Sequence, residues 1–455
     1  MTEYYAVILA AGDGTRMKSK RPKVLHEAAG RPLLFWTLRA LEEANAAKTV
    51  VVCGNGMEEI RRQLADRVEY AEQTERKGSG HAVMCAQQNL RDFDGYTLIV
   101  AGDMPLLTGK TIYRMTEMVE MDDLDCVLLT AELPDPFGYG RIVRDDDGYV
   151  AKIVEERDAD ADQQAIREVN ASCYCVKNKL LLECLPELKP QNAQGEYYLT
   201  DIVEILRQKG HKTGAYKTDD YTECMGVNDR VQLAQADAAL RGRINTHHMK
   251  SGVTIVDPKN TYIDPDTRIG ADSVIYPGVT IEGGCVIGED VTLYPGSRLE
   301  HSSVGDGTVV QNSVLVDAQV GKNCKVGPYA YLRPHSVIGD DCRIGDFVET
   351  KNSTIGDGTK VSHLTYVGDA DLGKGINIGC GVVFVNYDGR NKYRTKIGDD
   401  VFIGCNTNLI SPVTVEKGSY IAAGTTITEN LPENSFAIGR ARQTVKKNWK
   451  DKRKD

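Results

Sequence analysis

A chain of 455 residues is too long for one ordinary hydrophobic core and implies two or three domains. Its formal net charge of −10 argues against nucleic acid or an anionic membrane as a partner, although anionic small molecules can still bind where Lys and Arg cluster. The 12 cysteines fit no paired C-x-x-C framework, and the one close pair, Cys173 and Cys175, brackets a tyrosine in a strand-like run, so reduced thiols are expected.

The chain opens MTEYYAVILAAG, an apolar run too short for the core of a secretion signal and without basic residues before it. No later stretch is long enough to span a bilayer, so a cytoplasmic location is expected. Residues 1–229 alternate short apolar runs with amphipathic segments: AVILA, a helix near Leu33 to Ala44, TVVVC, a helix near Glu58 to Ala65, then TLIVAGD. This βαβ rhythm predicts a Rossmann-like α/β domain, with a mixed but mainly parallel sheet and helices on both faces. Residues 230–250 carry no Pro and a helical Leu/Ala pattern, which predicts a linker helix.

From 251 to 437 the grammar changes. Ile263, Ile269, Ile275, Ile281, Ile287, Leu293 and Leu299 recur at every sixth position, a period that neither helix nor simple strand produces. The phase is reset and resumes at Val320, Val326, Leu332, Ile338 and Ile344, and again at Ile397, Ile403, Leu409, Val415, Ile421 and Ile427. Glycine often follows the aliphatic, as in Ile269-Gly270, Ile287-Gly288, Ile338-Gly339 and Ile403-Gly404, which suits a sharp backbone corner. Stacked short strands in an all-β, parallel β-helix satisfy both facts, each coil burying its aliphatics against the next. Between Phe384 and Ile397 the polar VNYDGRNKYRT interrupts the repeat and is expected to leave the prism as a loop. Residues 438–455 form a basic tail ending KKNWKDKRKD.

The first strand runs directly into LAAGDGTRM. Leu9, Ala10 and Ala11 lead into Gly12 and Gly14 at a strand end, the usual ligand crevice of an open α/β sheet, where backbone N–H groups can approach phosphate oxygens. Arg16 and Lys23 add two cations that can share the charge of a triphosphate. Asp103, in AGDMPL, taken alone reads equally as a turn residue or as an oxygen donor to a hard divalent cation.

The combined pattern, L-A-A-G-x-G-T-R-M followed by P-K, resembles the signature of sugar-nucleotide pyrophosphorylases. From LAAG to the basic tail the sequence is similar to the bifunctional N-acetylglucosamine-1-phosphate uridyltransferase/glucosamine-1-phosphate acetyltransferase family. The resemblance implies UTP as a substrate of the first half, with Arg16 and Lys23 as its catalytic cations and Asp103 and Asn228 as Mg²⁺ ligands. QTERKGSGHA matches the family's uracil-reading segment, so that Gln73, Gly78 and Ser79 hold the base, Ser79 standing where the family has threonine. Gly140, Glu155 and Asn170 match the sugar side, where this chain reads Asn170-Ala171-Ser172 in place of the more frequent N-T-G. A sugar phosphate, with its second pKa about 6, is already a dianionic nucleophile at neutral pH, so the obstacle to attack is charge repulsion.

In the second half the resemblance implies a left-handed β-helix, acetyl-coenzyme A as co-substrate and a homotrimer with sites between subunits. His363 matches the general base, and an unperturbed imidazole titrating at about 6.5 suits removal of a proton from an attacking amine. Glu349 is the expected partner of that imidazole. Arg333 and Lys351 match the residues that hold the phosphate of glucosamine 1-phosphate. Tyr366, Asn377 and the Asn386-Tyr387 pair orient the sugar, and Asn386 and Tyr387 also belong with Cys405, Ala423 and Arg440 to the acetyl-coenzyme A groove. The tail, including Trp449, is expected as a cover.

The rival readings are a pyrophosphorylase for another sugar with a purely structural prism, a non-catalytic regulatory subunit, and an acyltransferase whose first domain is a scaffold. His363 and the Asn386-Tyr387 excursion argue against the first. Intact Arg16, Lys23 and Asp103 argue against the other two.

Overall fold

The computed structural model describes residues 3–54, 56–447 and 449. The chain divides into two compact units, Met1–Leu240 and Arg241–Asp455.

In the first unit the strand Tyr4–Ala10 lies at the centre of a sheet, pairing in parallel with Lys48–Cys53 on one side and Tyr96–Ala101 on the other. Glu69–Glu72 extends the first side. On the other side Glu168–Lys177 runs antiparallel between Tyr96–Ala101 and Cys126–Glu132, and Thr213–Lys217 closes that edge in parallel. The central strand is apolar almost throughout because both of its faces are covered. Ala6 and Ile8 point into a core shared with Leu34 and Leu38 of helix Leu33–Glu43 and with Ile112 and Met115 of helix Gly109–Met121. Val7 points the other way, toward Val83, Leu181 and Leu206. Order therefore reverses on either side of Tyr4–Ala10, and the crevice at its carboxyl end is where such sheets take ligands.

The helix Arg230–Lys250 runs across the boundary between the units, and Asn245, fully buried, donates to the carbonyls of Pro258 and Thr261 at the start of the second. Beyond it the chain winds as a left-handed parallel β-helix of three columns. Ile275, Leu293, Val310, Val326, Ile344, Val361, Ile378, Ile403 and Ile421 follow one another up the first. Ile263, Ile281, Leu299, Leu315 and Leu332 build the second, and Ile287, Val304, Val320, Ile338, Ile355, Leu372, Ile397 and Val415 the third. All of these are buried in one continuous core.

The repeated glycines work differently from the sequence reading. Gly270, Gly288, Gly339 and Gly404 are absent from the left-handed positions; those fall to the residues two further on, Asp272, Asp290, Asp341 and Asn406. What these glycines supply is room. A Cβ on Gly404 would come within 2.4 Å of Ala423 N, and one on Gly270 within 2.6 Å of Glu289 N. The coils are simply too close at the corner for a side chain.

Candidate active sites

Gly14 takes φ 59°, and a Cβ there would meet the Cβ of Lys23 at 2.6 Å, so the glycine turn rests directly on the lysine. Lys23 leads a short 3-10 turn that buries Val24 and Leu25. Its ammonium donates to Asp103 Oδ2, and to Asn228 Oδ1 at 3.1 Å. Asp103 follows the strand Tyr96–Ala101, and its carbonyl accepts the Val227 N–H at 2.9 Å, which carries Asn228 to the same point. Leu9, Ala10, Ala11, Gly12, Lys23, Gln73, Gly78, Ser79 and Asp103 line one cavity of about 320 Å³.

The segment from Gln73 to Ser79 is pinned from behind. Gln73 is buried and donates to Gly78 O at 3.1 Å, its amide also lying 3.0 Å from His81 Nδ1. Gly78 has φ 104°, and a Cβ there would strike Tyr197 O at 2.5 Å. Ser79 Oγ accepts the Leu199 N–H at 3.0 Å. The hydroxyl that serine shares with threonine is thus committed to the backbone of the YYLTD segment, and the missing methyl leaves that bond intact.

A second cavity of about 440 Å³ shares Ala101 and Asp103 with the first and is lined by Arg16, Gly140, Glu155, Asn170 and Asn228. Asn170 is buried with every group engaged: its N–H donates to Gly140 O (2.9 Å), its Nδ2 to Tyr174 Oη (2.7 Å), and its Oδ1 accepts from Ser172 N (3.1 Å). Burial holds the Glu155 carboxyl above its usual range, and Asp158 and Asp201 push the same way against a 3.4 Å hydrogen bond from Thr200. Burial, then Glu204 and Asp158, raises Asp201 to about 6. A carboxyl with a raised folded-state pKa holds its proton more tightly folded than unfolded, so its contribution falls as pH rises from about 4 to about 6. Asp201→Asn is expected to flatten that decline and raise the denaturation midpoint at pH 7, read from melting curves across this range.

Ser172 has φ 55°, inside a bulge where the pairing of Glu168–Lys177 with Cys126–Glu132 shifts register between Asn170 and Tyr174. The glycine more frequent in the resembling family would adopt that conformation freely. Relieving a left-handed cost of about 1–2 kcal/mol, less glycine's extra backbone entropy, Ser172→Gly should stabilise the first unit by about 0.5–1 kcal/mol in denaturant titrations.

In the second unit His363 stands on a corner of the β-helix. Strands Arg343–Lys351 and Lys360–Gly368 run in register around it, with Phe347 and Leu364 both left-handed, so that Asp346 faces His363. His363 Nδ1 lies 2.6 Å from Asp346 Oδ1, and this contact holds the Asp346 carboxyl below its usual range. Glu349 is not the partner. It pairs in register with Tyr331 and Tyr366, past the corner, and accepts from Arg333 Nη1 at 2.7 Å. The ammonium of Lys351 is held below its usual range by Lys392 first, then by desolvation and by Arg333. Three cations therefore converge on one face.

Tyr366 and Asn386 meet over Gly368, where a Cβ would lie 2.3 Å from Tyr366 Oη and 2.7 Å from Asn386 Nδ2. Asn386 is buried and donates to Asp369, anchoring the start of the excursion loop; Arg394 anchors its end on Asp371. Tyr387 is exposed and bridges back to Lys392. Asn377 does not join this group within the chain: it lies on the face before the corner, in register with Lys360 and Phe402. The corner itself continues upward from His363. Gly381 N bonds Leu364 O, Asn406 N bonds Cys380 O and Gly424 N bonds Cys405 O, each on the next coil. Arg440 Nη1 reaches Ala423 O at 2.5 Å, so Cys405, Ala423 and Arg440 come together on the same edge as His363. Trp449 is exposed with the Lys446 ammonium 5.3 Å from its ring centre, while residues 448 and 450–455 of the tail fall outside the described residues.

Sequence reasoning missed Asp346, because register between coils is not visible in the period, and Lys392, because one cation in a polar loop carries no signal of its own. It also passed over Arg76, which lines the first cavity and pairs with Asp13 of the glycine turn.

Residues 6–166 match the model of the MobA-like NTP transferase domain, and residues 266–301, 317–352 and 394–429 match that of the bacterial transferase hexapeptide (six repeats). The bifunctional protein GlmU of Acetivibrio thermocellus is 52% identical over 98% of this chain and 96% of its own length. Those of Clostridium novyi and Halalkalibacterium halodurans are 50% and 48% identical, over 98% and 100% of this chain and 97% and 100% of theirs. The chain belongs to the bifunctional GlmU family, transferases that join a nucleotidyltransferase domain to a hexapeptide acetyltransferase domain.

Proposed function

We propose that the chain makes UDP-N-acetylglucosamine in two steps: N-acetylation of glucosamine 1-phosphate by acetyl-coenzyme A in the second unit, then uridylyl transfer from UTP to N-acetylglucosamine 1-phosphate in the first. The observation that carries the first step is the Asp346–His363 pair, set on two paired strands, one of which runs on to Lys351, where Lys392 and Arg333 gather. Three cations suit a sugar phosphate, and they set its amine at the corner where the imidazole can take a proton. The amine attacks the thioester carbonyl, His363 Nε2 accepts its proton, and the proton passes to the departing coenzyme A thiolate. Asp346 fixes the tautomer by accepting from Nδ1. Cys405, Ala423 and Arg440 hold the cofactor along the edge, with Asn386 and Tyr387 at the loop base. Asn377, on the preceding face, would complete the site from a neighbouring copy in a homotrimer.

In the first unit an oxygen of the sugar phosphate attacks the α-phosphorus of UTP, and the bond to the β-phosphate breaks with release of pyrophosphate. Arg16 and Lys23 spread the charge on the transferring group. Two hard oxygens, Asp103 Oδ2 and Asn228 Oδ1, meet at the Lys23 ammonium, a donor set that fits Mg²⁺ with phosphate and water as its remaining ligands. Bound there, the ion would supply further neutralisation of phosphate charge. Among the described residues no group of three or more His, Cys, Asp or Glu could hold a metal unaided. No helix among them is long and apolar enough to cross a membrane. We place the enzyme in the cytoplasm. Incubation with glucosamine 1-phosphate, acetyl-coenzyme A, UTP and Mg²⁺, omitting each in turn, tests the whole scheme. UDP-N-acetylglucosamine should form only with all four, and its formation without acetyl-coenzyme A would overturn the two-step order.

A further inference from the structure

Among the described residues Cys380 and Cys405 are the exposed cysteines; the other thiols are buried, or half-buried at Cys85. The two stand one coil apart at equivalent positions. Ile378 pairs with Ile403, Gly379 N bonds Ile403 O at 2.8 Å, and Asn406 N bonds Cys380 O at 2.8 Å, which sets Cys380 directly beneath Cys405. Neighbouring parallel strands lie about 4.8 Å apart, within the span of about 4.4–6.8 Å between Cα atoms that a disulfide bridges. Both thiols sit at the outside of the corner, and the edge continues down to His363 and up to Ala423.

The chain carries an internal comparison. Lys325 pairs with Arg343, so Cys324 and Cys342 are also equivalent residues on neighbouring coils, but they are 0% and 2% exposed inside the prism. Their thiols lie against the carbonyls of Gly339 and Gly356. Spacing is the same in the two pairs and access is not.

We propose that Cys380 and Cys405 form an oxidisable dithiol that takes up a disulfide bond from low-molecular-weight disulfides and so blocks acetyl transfer. One thiolate attacks a sulfur of the small disulfide, whose S–S bond breaks, and the departing thiolate takes up the proton that the cysteine lost. The second cysteine then attacks the mixed disulfide and releases a second thiol. Two cysteine thiols are oxidised to one disulfide and one small disulfide is reduced to two thiols. The cross-link draws together the edge beside His363 that the thioester end of acetyl-coenzyme A must reach. This inhibitory consequence rests on the cofactor placement proposed above, whereas the bond itself does not.

The test is incubation of the full-length protein with oxidised glutathione, followed by peptide mass mapping and separate assays of the two activities. A Cys380–Cys405 cross-linked peptide is expected, with loss of acetyl transfer, retention of uridyl transfer and recovery with dithiothreitol. Cys380→Ala should give no cross-link and should hold Cys405 at the mixed-disulfide stage after the same exposure. In the wild-type protein, mixed disulfides without a cross-link, or a cross-link at Cys324–Cys342 with the exposed pair still reduced, would each overturn the proposal. A mapped Cys380–Cys405 bond with undiminished acetyl transfer would uphold the dithiol and overturn the cofactor's placement on this edge.

Discussion

Lys23→Ala is expected to lower uridylyl transfer by about 10³-fold while acetyl transfer continues at the wild-type rate. The ammonium donates to Asp103 and Asn228 and supports the glycine turn through Gly14, so its loss removes charge and a packing surface together. Asp103→Asn separates the two effects. It keeps an oxygen facing Lys23 and the carbonyl that holds Val227, but withdraws a negative charge from the proposed Mg²⁺ position. Its activity should recover in part at raised Mg²⁺ concentration, whereas that of Lys23→Ala should not. Acetyl transfer is the folding control in both, and its loss in a folded Lys23→Ala protein would defeat the assignment of two separate sites.

The mirror experiment is His363→Ala, for which acetyl transfer should fall by about 10²–10⁴-fold, the usual worth of a general base, with uridylyl transfer untouched. Asp346→Asn is more informative about how the base works. A carboxylate accepting from Nδ1 fixes the ring's tautomer, so its removal should lower kcat for acetyl transfer with uridylyl transfer untouched. A purely structural Asp346 would alter stability and leave kcat where it was. The Asp346 carboxyl is itself perturbed by the contact. Its lowered pKa stabilises the fold above the usual carboxylate range, and that contribution fades as pH falls through the folded value.

Much of this was legible in the linear string because the physics there is local. A six-residue recurrence of Ile, Leu and Val admits few folds but stacked coils, and apolar runs such as TVVVC and TLIVAGD, buried on both faces, admit few sheets but a covered parallel one. That the glycine turn, Lys23 and Asp103 belong together was readable only through the family resemblance, since Asp103 alone reads equally as a turn residue. What escaped depended on offsets between coils. Asp346 and His363 stand seventeen residues apart, one short of three sixes. Glu349, the partner expected alongside the resemblance, gives its carboxylate to Arg333 instead. Ser172 escaped for a related reason: its unusual φ arises from a bulge opposite Cys126–Glu132, which no local pattern announces.

The clamped excursion has a bearing on how such a gene can change. Thr395–Ile397 rejoins the ladder opposite Ala370–Leu372 as though nothing had intervened, because Asn386 and Arg394 fasten both ends of the detour. Codons added at the Gly389 tip would lengthen the detour and leave the ladder unmoved. A single codon lost from a rung such as Phe402–Ile403 would instead turn every later side chain of that strand inside out. Insertions and deletions among descendants of this sequence should accordingly gather at that tip, or come in whole turns of the prism.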